Sequence, residues 1–289
     1  YLLYHALRLL LDCENASLVA LPRIFTDDRF RERIVKQCRD PFVRRFWELE
    51  YESWDRRFRS EAISPVLNKL GQFVSNPTLR QVFGQVRLRV DFRKVLDSRK
   101  ILILNLSKGR MGDDASRLAG ALVVSFLASQ SMERASVPEA ERAPFTLFID
   151  EAQNFLTGAL ASILSESRKY GLGLVLSHQY LDQLSPALQS AVLGNVGSVF
   201  AFRISAQDAE TMTKEFGYNF RAQEFVELPP FTALVRPLED SAFPFRLEVS
   251  PPPRRDFGFR QAILARCRLQ FGTPRIQVER KLARWLGEG

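Results

Sequence analysis

Two adjacent carboxylates, Asp150 and Glu151, close a run of apolar residues in the stretch FTLFIDEAQNF. An apolar run of this length, followed by a helical pattern, is typical of a strand that is buried on both faces of a sheet. Paired acids at the end of such a strand can hold Mg²⁺, usually through water, and can polarise the water molecule that attacks a γ-phosphate. This is the Walker B role in P-loop NTPases. The alternative is a strand that simply ends at its first solvated residues.

A further polar group follows a second apolar run, LGLVLSHQ, which ends at His178 and Gln179. Adjacent parallel strands place their carboxyl ends side by side, so Asp150, Glu151 and Gln179 are expected to converge on one crevice. A glutamine there can hydrogen-bond both the attacking water and the γ-phosphate, and so sense whether that phosphate is present. Taken alone, Gln179 is better explained as the cap of a neighbouring turn. Three polar groups at matched strand ends favour the nucleotide site.

Strands and helices alternate along the middle of the chain. This order predicts right-handed βαβ units and an α/β fold with a mostly parallel sheet flanked by helices. Besides the two runs above, strands are predicted at ILILNLS (101–107), at 197–204 and at FTALVRP (231–237). Helices are predicted from Asp113 through Leu127 and at 156–170, 184–193 and 207–216.

The first third of the chain is expected to be mostly helical and basic. Pro41 suits the first turn of one helix, and Pro65 is expected to restart the chain into another. Trp47, Tyr51 and Trp54 lie among several arginines in the sequence. This mixture is compatible with stacking on nucleic-acid bases or with an ordinary helical packing face, and packing is the favoured interpretation.

The charge is unevenly divided along the chain, whose net charge is +8. Residues 1–100 hold 20 Lys and Arg against 13 Asp and Glu, residues 101–249 hold 12 against 17, and residues 250–289 hold nine against three. Basic flanks of this kind suit contacts with the phosphate backbone of nucleic acid. Solvated helix faces rich in arginine are the alternative for any single cluster.

Composition argues against several other classes of protein. With 289 residues, of which 46% are apolar, the chain can bury a sizeable core as one large α/β domain or two smaller ones. Its longest nearly apolar run, 118–128, is shorter than the roughly 20 residues that cross a bilayer. Cys13, Cys38 and Cys267 lie far apart without CxxC spacing, so neither a metal cluster nor a disulfide framework is expected, and a reducing cytoplasm suits the chain.

Three motifs, in this order, resemble a known family: FIDEAQNF, ILSESRKYGLGLVLSHQYLDQL and GNVGSVFAFR. They look like the second half of the motor domain in the FtsK/HerA superfamily, and are most similar to the TraG/TraD-type conjugative coupling ATPases of type IV secretion. The resemblance covers residues 65–240, since SNPTLRQVFGQ and ILILNLSKGRMG also look like such relatives. It implies a RecA-like sheet in a ring, expected to be a hexamer, that uses ATP and Mg²⁺ to move DNA through a central pore.

The resemblance also implies roles for individual residues. Asp150 matches the Mg²⁺-site acid of the family, Glu151 its catalytic acid and Gln179 its sensor. Arg168, in the ESRKYG stretch, matches the arginine finger that reaches the nucleotide of a neighbouring subunit and stabilises transition-state charge. Arg203 is a second candidate for that role. A salt bridge is the alternative explanation for either arginine.

One departure from the family pattern is serious, because no GxxxxGK[ST] phosphate loop occurs in the 289 residues. The short stretch 109–112, GRMG, is too short and lacks the lysine. The loop is expected to lie upstream of Tyr1, so that this chain alone would be inactive. Residues 1–95 would then be a lid or insertion, 96–240 the Walker B part of the RecA-like core, and 241–289 a basic, proline-led tail.

The expected partners are DNA, bound without base specificity, further copies of the chain, and type IV secretion or relaxosome proteins. The expected location is the cytoplasm, with attachment to the inner face of the membrane left open through a segment outside this sequence. Two alternative functions remain at this point. One is a non-catalytic DNA-binding or adaptor module derived from the same fold, and the other is a protein-export ATPase of the same superfamily.

Overall fold

The structure is a computed structural model that describes residues 1–156, 164, 166–238, 242–253, 255 and 257–286. The chain divides into two compact units. Unit 1 comprises Tyr1–Val90, Ser107–Ala115 and Phe259–Gly289, and unit 2 comprises Asp91–Leu106 and Ser116–Gly258. Within the described residues, no helix has both the length and the apolar character needed to cross a bilayer.

Helices outnumber strands in the described residues, and both follow in chain order. The elements are α1 (Leu2–Leu11), α2 (Leu21–Thr26), α3 (Asp28–Val35), α4 (Pro41–Arg45), α5 (Arg56–Ser75), α6 (Pro77–Phe83), α7 (Phe92–Asp97), α8 (Lys108–Met111), α9 (Asp113–Met132), β1 (Phe145–Ile149), β2 (Leu172–Leu176), α10 (Pro186–Asn195), β3 (Val199–Ala201), α11 (Ala206–Glu215), α12 (Ala222–Val226), β4 (Thr232–Arg236), β5 (Phe245–Glu248), α13 (Arg260–Phe271) and α14 (Arg275–Leu286).

Side-chain caps start several helices of unit 1. Asp40 accepts a hydrogen bond of 3.0 Å from the backbone N–H of Phe42, and Asn76 accepts one of 2.9 Å from Thr78. Each cap precedes a proline, which suits the first helical position because its missing N–H has no helical partner there anyway. The prediction that Pro41 begins a helix is confirmed.

The prediction for Pro65 is wrong, because α5 runs through it without a break. Pro65 removes one backbone donor and so leaves the carbonyl of Glu61 without its helical partner. Both residues are exposed, so water can satisfy that carbonyl. An apolar stripe that includes Ile63 and Val66 continues across the proline and packs against the core of unit 1, which holds the helix together.

The aromatic residues among the arginines form part of that core. Trp47 is 1% exposed and Tyr51 is fully buried, so the packing interpretation is confirmed. Two arginines lie over the Tyr51 ring, with the guanidinium carbons of Arg31 and Arg59 at 4.9 and 4.6 Å from its centroid. Arg31 is itself buried and paired with Glu52 at 2.8 Å. These charges are satisfied inside unit 1.

The C-terminal helix α14 belongs to unit 1 as well. Its Val278 and Leu282 are buried, and a Cβ built on Gly84 would lie 2.6 Å from the Leu282 side chain. Helix α14, which lies in the basic C-terminal segment, therefore packs next to α6.

The parallel pair β1–β2 is the centre of unit 2. Its register runs from Phe145 opposite Leu172 to Ile149 opposite Leu176. One face of the pair joins α9 and α10 in an apolar cluster to which Val124 contributes. This arrangement of helices on a parallel sheet confirms the expected α/β class. The prediction that β1 is buried on both faces is wrong in the described residues, because its other face carries Phe148, which is 72% exposed.

A buried arginine fixes the starting ends of both strands. The Nη1 group of Arg134 donates hydrogen bonds of 3.0 Å to the carbonyl oxygens of Ala143, just before β1, and Tyr170, just before β2. Asp97 balances its charge through an ion pair of 2.9 Å. Because Arg134 is 1% exposed, these contacts are shielded from water and hold the two strands in register.

The segment 101–107 is not the buried strand that its apolar sequence predicts. Ile101 is 91% exposed and Ile103 is 84% exposed. No strand pairs with this segment among the residues that the structure describes. A strand needs a neighbour to satisfy its backbone groups, and without one the apolar sequence remains irregular here.

The strand predicted at 197–204 forms only as β3, and it does not extend the parallel pair. It is antiparallel to β4, which is antiparallel to β5, in a separate three-stranded sheet. The chain returns through α11 and α12 before β4, so β4 can enter beside β3 in the opposite direction. The strand predicted at 231–237 and the helix predicted at 207–216 are confirmed as β4 and α11.

The helix predicted at 156–170 falls largely on residues 157–163 and 165, which lie outside the described residues. Its described end, Ser167–Tyr170, is a tight 3₁₀ turn closed by Gly171. Gly171 has a φ of +72°, the left-handed conformation that glycine adopts without steric cost. Gly171 therefore ends this turn just before β2.

Candidate active site

The ends of β1 and β2 are joined beyond the strands themselves. The backbone N–H of Ser177 donates to the carbonyl of Ile149 at 3.0 Å, and the N–H of Ala152 donates to the carbonyl of Ser177 at 2.8 Å. These bonds continue the parallel ladder and bring the first residues after both strands together. The backbone that carries the side chains at this edge is therefore held in place by hydrogen bonds.

Asp150 is oriented by two donors on one of its oxygens. Its Oδ1 accepts a hydrogen bond of 2.6 Å from the Ser177 hydroxyl and one of 3.1 Å from the Glu151 backbone N–H. Among the described residues no group donates to Oδ2. The carboxylate thus presents one oxygen that is committed to the protein and one that can bind a ligand.

Glu151 adopts the left-handed conformation, with a φ of 51° and a ψ of 48°. For a residue with a Cβ this conformation costs energy, and such residues are concentrated at functional sites. The turn that follows, Ala152–Asn154, stabilises it, because the Asn154 side-chain amide donates to the Glu151 carbonyl at 3.2 Å.

Glycine at position 120 lets this turn pack closely on α9. A Cβ built on Gly120 would lie 2.1 Å from Cδ1 of Phe155, so any other residue would displace the aromatic ring. The close approach places the turn directly against the helix and limits its movement.

Both carboxylate oxygens of Glu151 accept hydrogen bonds from glutamine amides. The Nε2 group of Gln179, three residues after β2, donates to Oε1, and the Nε2 group of Gln153 donates to Oε2 at 2.6 Å. The structure therefore brings Asp150, Glu151 and Gln179 together at one edge of the sheet, at the place the sequence predicts.

Two contacts at this site are not among the sequence predictions. Ser177 is the first residue after β2, as Asp150 is after β1, so the strand register could have identified it. Gln153 lies only two residues after Glu151, but its contact depends on the left-handed turn, for which the sequence offers no clear signal.

The two candidate arginines lie apart from this cluster. Arg168 is exposed in the turn before β2, at the opposite end of that strand from Gln179, which corresponds to about 20 Å of extended chain. Arg203 is exposed just after β3. In the part of the chain that the structure describes, neither arginine forms an ion pair or a side-chain hydrogen bond.

His178 lies between Ser177 and Gln179 but does not join the acids in the described structure. Burial lowers the pKa of its imidazole, although the nearby Asp208 carboxylate opposes this effect. His178 is therefore neutral at pH 7 and contributes no charge to the site.

The donor set suits Mg²⁺ bound together with a nucleotide better than a resident metal. No group of three or more His, Cys, Asp or Glu residues is placed to hold an ion anywhere in the described residues. Magnesium commonly uses one or two carboxylates, waters and substrate phosphates. Asp150, with one oxygen available beside a hydroxyl, is suited to that kind of coordination.

Comparisons with known proteins identify the fold. No family model matches the sequence, and no curated protein sequence matches it. Similar solved structures include the bacterial conjugative coupling protein TrwBdeltaN70 in its unbound monoclinic form and the plasmid coupling protein TrwB in complex with the non-hydrolysable GTP analogue GDPNP. Each is 16% identical, with 88% of this chain and 70% of the other covered at a TM-score of 0.55. Such a likeness establishes the fold alone: this chain has an α/β fold similar to that of the two TrwB structures.

Proposed function

We propose that this chain is part of an ATP-driven DNA translocase of the conjugative coupling type. The observation that supports this best is the hydrogen-bonded group of Asp150, Glu151 and Gln179 at the carboxyl ends of two parallel strands. In open α/β folds, ligands bind at this edge of the sheet. Two acids and a glutamine there have the functional groups that nucleotide hydrolysis requires.

In this mechanism each residue has a separate task. When bound, Mg²⁺–ATP supplies the phosphate group that is transferred to water. Asp150, whose Oδ1 accepts the Ser177 hydroxyl, would hold the Mg²⁺ ion. Glu151 accepts a proton from the attacking water, and Gln179 orients that water and contacts the γ-phosphate.

Arg168 acts on the nucleotide of a neighbouring subunit. Its place at the far end of β2 prevents it from reaching the acids of its own subunit, and its side chain is exposed and unpaired among the described residues. An arginine supplied by a neighbour stabilises transition-state charge and links hydrolysis to assembly. The assembly would be a homo-oligomeric ring, most simply a hexamer, with Arg203 as the second candidate for this contact.

The basic segments would contact the DNA backbone. Residues 1–100 and 250–289 both have an excess of Lys and Arg, and contacts with phosphates do not require base specificity. The motor core would be 96–240, with 1–95 as a lid or insertion and 241–289 as a tail. Type IV secretion or relaxosome proteins would be further partners, in the cytoplasm or at the inner face of the membrane.

Hydrolysis is proposed for the full-length gene product. The 289 residues contain no GxxxxGK[ST] loop to hold the β- and γ-phosphates, so this chain alone would hydrolyse no ATP. The protein that contains it should be tested.

The experiment is to measure ATP hydrolysis by the full-length gene product with and without DNA, over a series of salt concentrations. Stimulation by DNA that weakens as salt rises would support the proposal, because phosphate contacts are salt-dependent. Hydrolysis that DNA leaves unchanged would favour export of a protein. Salt-sensitive DNA binding without hydrolysis would favour a non-catalytic adaptor.

A further inference from the structure

The two glutamines that contact Glu151 are held in very different ways. Gln153 belongs to the same tight turn as Glu151 and is partly buried. Gln179 is exposed and reaches Glu151 from the end of the neighbouring strand. The contact to Oε2 is therefore local to one turn, whereas the contact to Oε1 spans two strands.

We infer that Gln153 is the positioning residue for the catalytic carboxylate: it holds Oε2 of Glu151 throughout the reaction and leaves Oε1 to accept the proton. This inference rests on the proposed function and adds the residue that orients Glu151, the base of the proposed mechanism. Gln179 donates to Oε1 in the structure. When Gln179 turns to the γ-phosphate, Oε1 is released for the attacking water.

The backbone of the turn that carries Gln153 is fixed, so Gln153 stays in place when Gln179 moves away from Glu151. The Glu151 carbonyl accepts hydrogen bonds from both the backbone N–H of Asn154, at 3.0 Å, and the Asn154 side chain. The N–H of Ala152 is bound to the neighbouring strand end at Ser177. With its backbone fixed on both sides, Gln153 can retain its contact with Oε2 while other groups move.

The orientation of the Gln153 amide supports this role. Its Oε1 atom is buried and accepts no hydrogen bond within the described residues, which is an unfavourable state for a polar atom. The opposite orientation would place that oxygen against the Glu151 carboxylate and repel it. The carboxylate therefore fixes which end of the amide faces it, and the amide in turn fixes the carboxylate.

The oxygen of the water bonds to the γ-phosphorus as the bond from that phosphorus to ADP breaks, and the bonding electrons leave with ADP. The water's O–H bond breaks, and the proton goes to Oε1 of Glu151. A carboxylate that rotates freely would present this oxygen at the correct angle only part of the time.

The first test compares Gln153→Leu with the wild-type full-length protein. Loss of the donor should lower kcat by about 10- to 100-fold while KM for ATP changes by less than about twofold. The matched control is Gln207→Leu, because Gln207 donates a similar bond of 2.7 Å to the Asp182 carboxylate on the surface of unit 2. Gln207→Leu should keep the wild-type kcat.

A second variant, Gln153→Glu, provides a readout that a purely structural role would not change. At neutral pH it replaces the donor with a carboxylate that faces Glu151, so its kcat should fall below that of Gln153→Leu. At lower pH the new carboxyl group becomes protonated and can donate again. The pH profile should therefore shift towards acid, relative to both wild type and Gln153→Leu.

The outcomes separate the two claims. If the wild-type protein hydrolyses no ATP, the proposed function fails. If it hydrolyses ATP and Gln153→Leu matches its kcat, or Gln153→Glu keeps the wild-type pH profile, the role of Gln153 is wrong. Two crystal structures check the geometry without activity. The Glu151 carboxylate should keep its present position in Gln179→Leu, where Gln153 still holds it, and should leave that position in the double variant Gln179→Leu/Gln153→Leu. An unchanged position in the double variant would overturn the inference.

Discussion

Ser177 and Asp150 are joined by a hydrogen bond of 2.6 Å between the hydroxyl of one and Oδ1 of the other. Each is the first residue after its strand, and the two strands are parallel neighbours. The same register that pairs Ile149 with Leu176 therefore also orients the carboxylate. The pairing of the two strands therefore sets the geometry of the site as well as that of the sheet.

Loss of the Ser177 hydroxyl should weaken the use of magnesium. Ser177→Ala frees Asp150 to rotate, and partners that orient a ligand typically contribute 10- to 100-fold to metal affinity. We expect the Mg²⁺ concentration for half-maximal ATP hydrolysis to rise by about tenfold. Titration of Mg²⁺ against the hydrolysis rate measures this, with the exposed Ser190→Ala in α10 as the control. An unchanged Mg²⁺ requirement in Ser177→Ala would contradict the assignment.

Because the backbone of Glu151 is left-handed, a glycine variant at this position should be more stable than an alanine variant, the reverse of the usual order within a helix. Glu151→Ala and Glu151→Gly both remove the carboxylate, but alanine at a φ of 51° keeps the steric cost of its Cβ. We expect the free energy of unfolding to be about 1 kcal/mol higher for the glycine variant. The same pair at Glu210, within helix α11, should show alanine as the more stable by about 1 kcal/mol. Urea titrations compare all four, and equal stability of the Glu151 pair would rule out the left-handed conformation.

His178 should make the protein less stable as the pH falls from 7 towards 5. Burial lowers its pKa in the folded state below the value of about 6.5 in the unfolded chain, so below that pH the unfolded chain binds more protons. His178→Gln should therefore flatten the dependence of the free energy of unfolding on pH. Burial also lowers the pKa of His5, so His5→Gln should flatten the dependence of the free energy of unfolding on pH in the same way. If His178→Gln keeps the wild-type slope, partial burial does not lower the pKa of His178.

Arg168→Ala should be complemented by a subunit that lacks a different group. If each arginine completes the site of a neighbour, an Arg168→Ala subunit beside a Glu151→Gln subunit forms a site in which both Glu151 and Arg168 are intact. Each variant alone should be nearly inactive, whereas an equal mixture should recover on the order of a quarter of the wild-type ATPase rate. Lys169→Ala, an exposed change in the same turn, is the control and should keep the wild-type rate by itself. No recovery in the mixture would show that Arg168 does not act between subunits.

The elements predicted correctly from the sequence are those whose signals are local. FTLFI and LGLVL form β1 and β2 because each is a short apolar run that follows proline or glycine and ends at a polar residue. Once both are parallel strands, Asp150 and Gln179 must emerge at the same edge. The acid and glutamine of the site were therefore predictable from two short segments.

The remaining features depend on residues that are distant in sequence or on backbone conformations without a sequence signal. ILILNL is as apolar as β1, but a strand also needs a partner, and none pairs with it among the described residues. The direction of β3 is decided by β4, which follows about thirty residues later. The contact between Gln153 and Glu151 depends on a left-handed glutamate, a conformation that the residue type does not favour.

The most direct test of the account is ATP hydrolysis by the full-length gene product with Glu151→Gln, measured beside wild type and the exposed control Glu210→Gln. Glutamine keeps the size of the side chain but cannot accept the proton from water. We expect Glu151→Gln to bind Mg²⁺–ATP as wild type does and to hydrolyse it at least about 100-fold more slowly, while Glu210→Gln keeps the wild-type rate. A wild-type rate in Glu151→Gln would contradict the assignment of this edge of the sheet as the catalytic site.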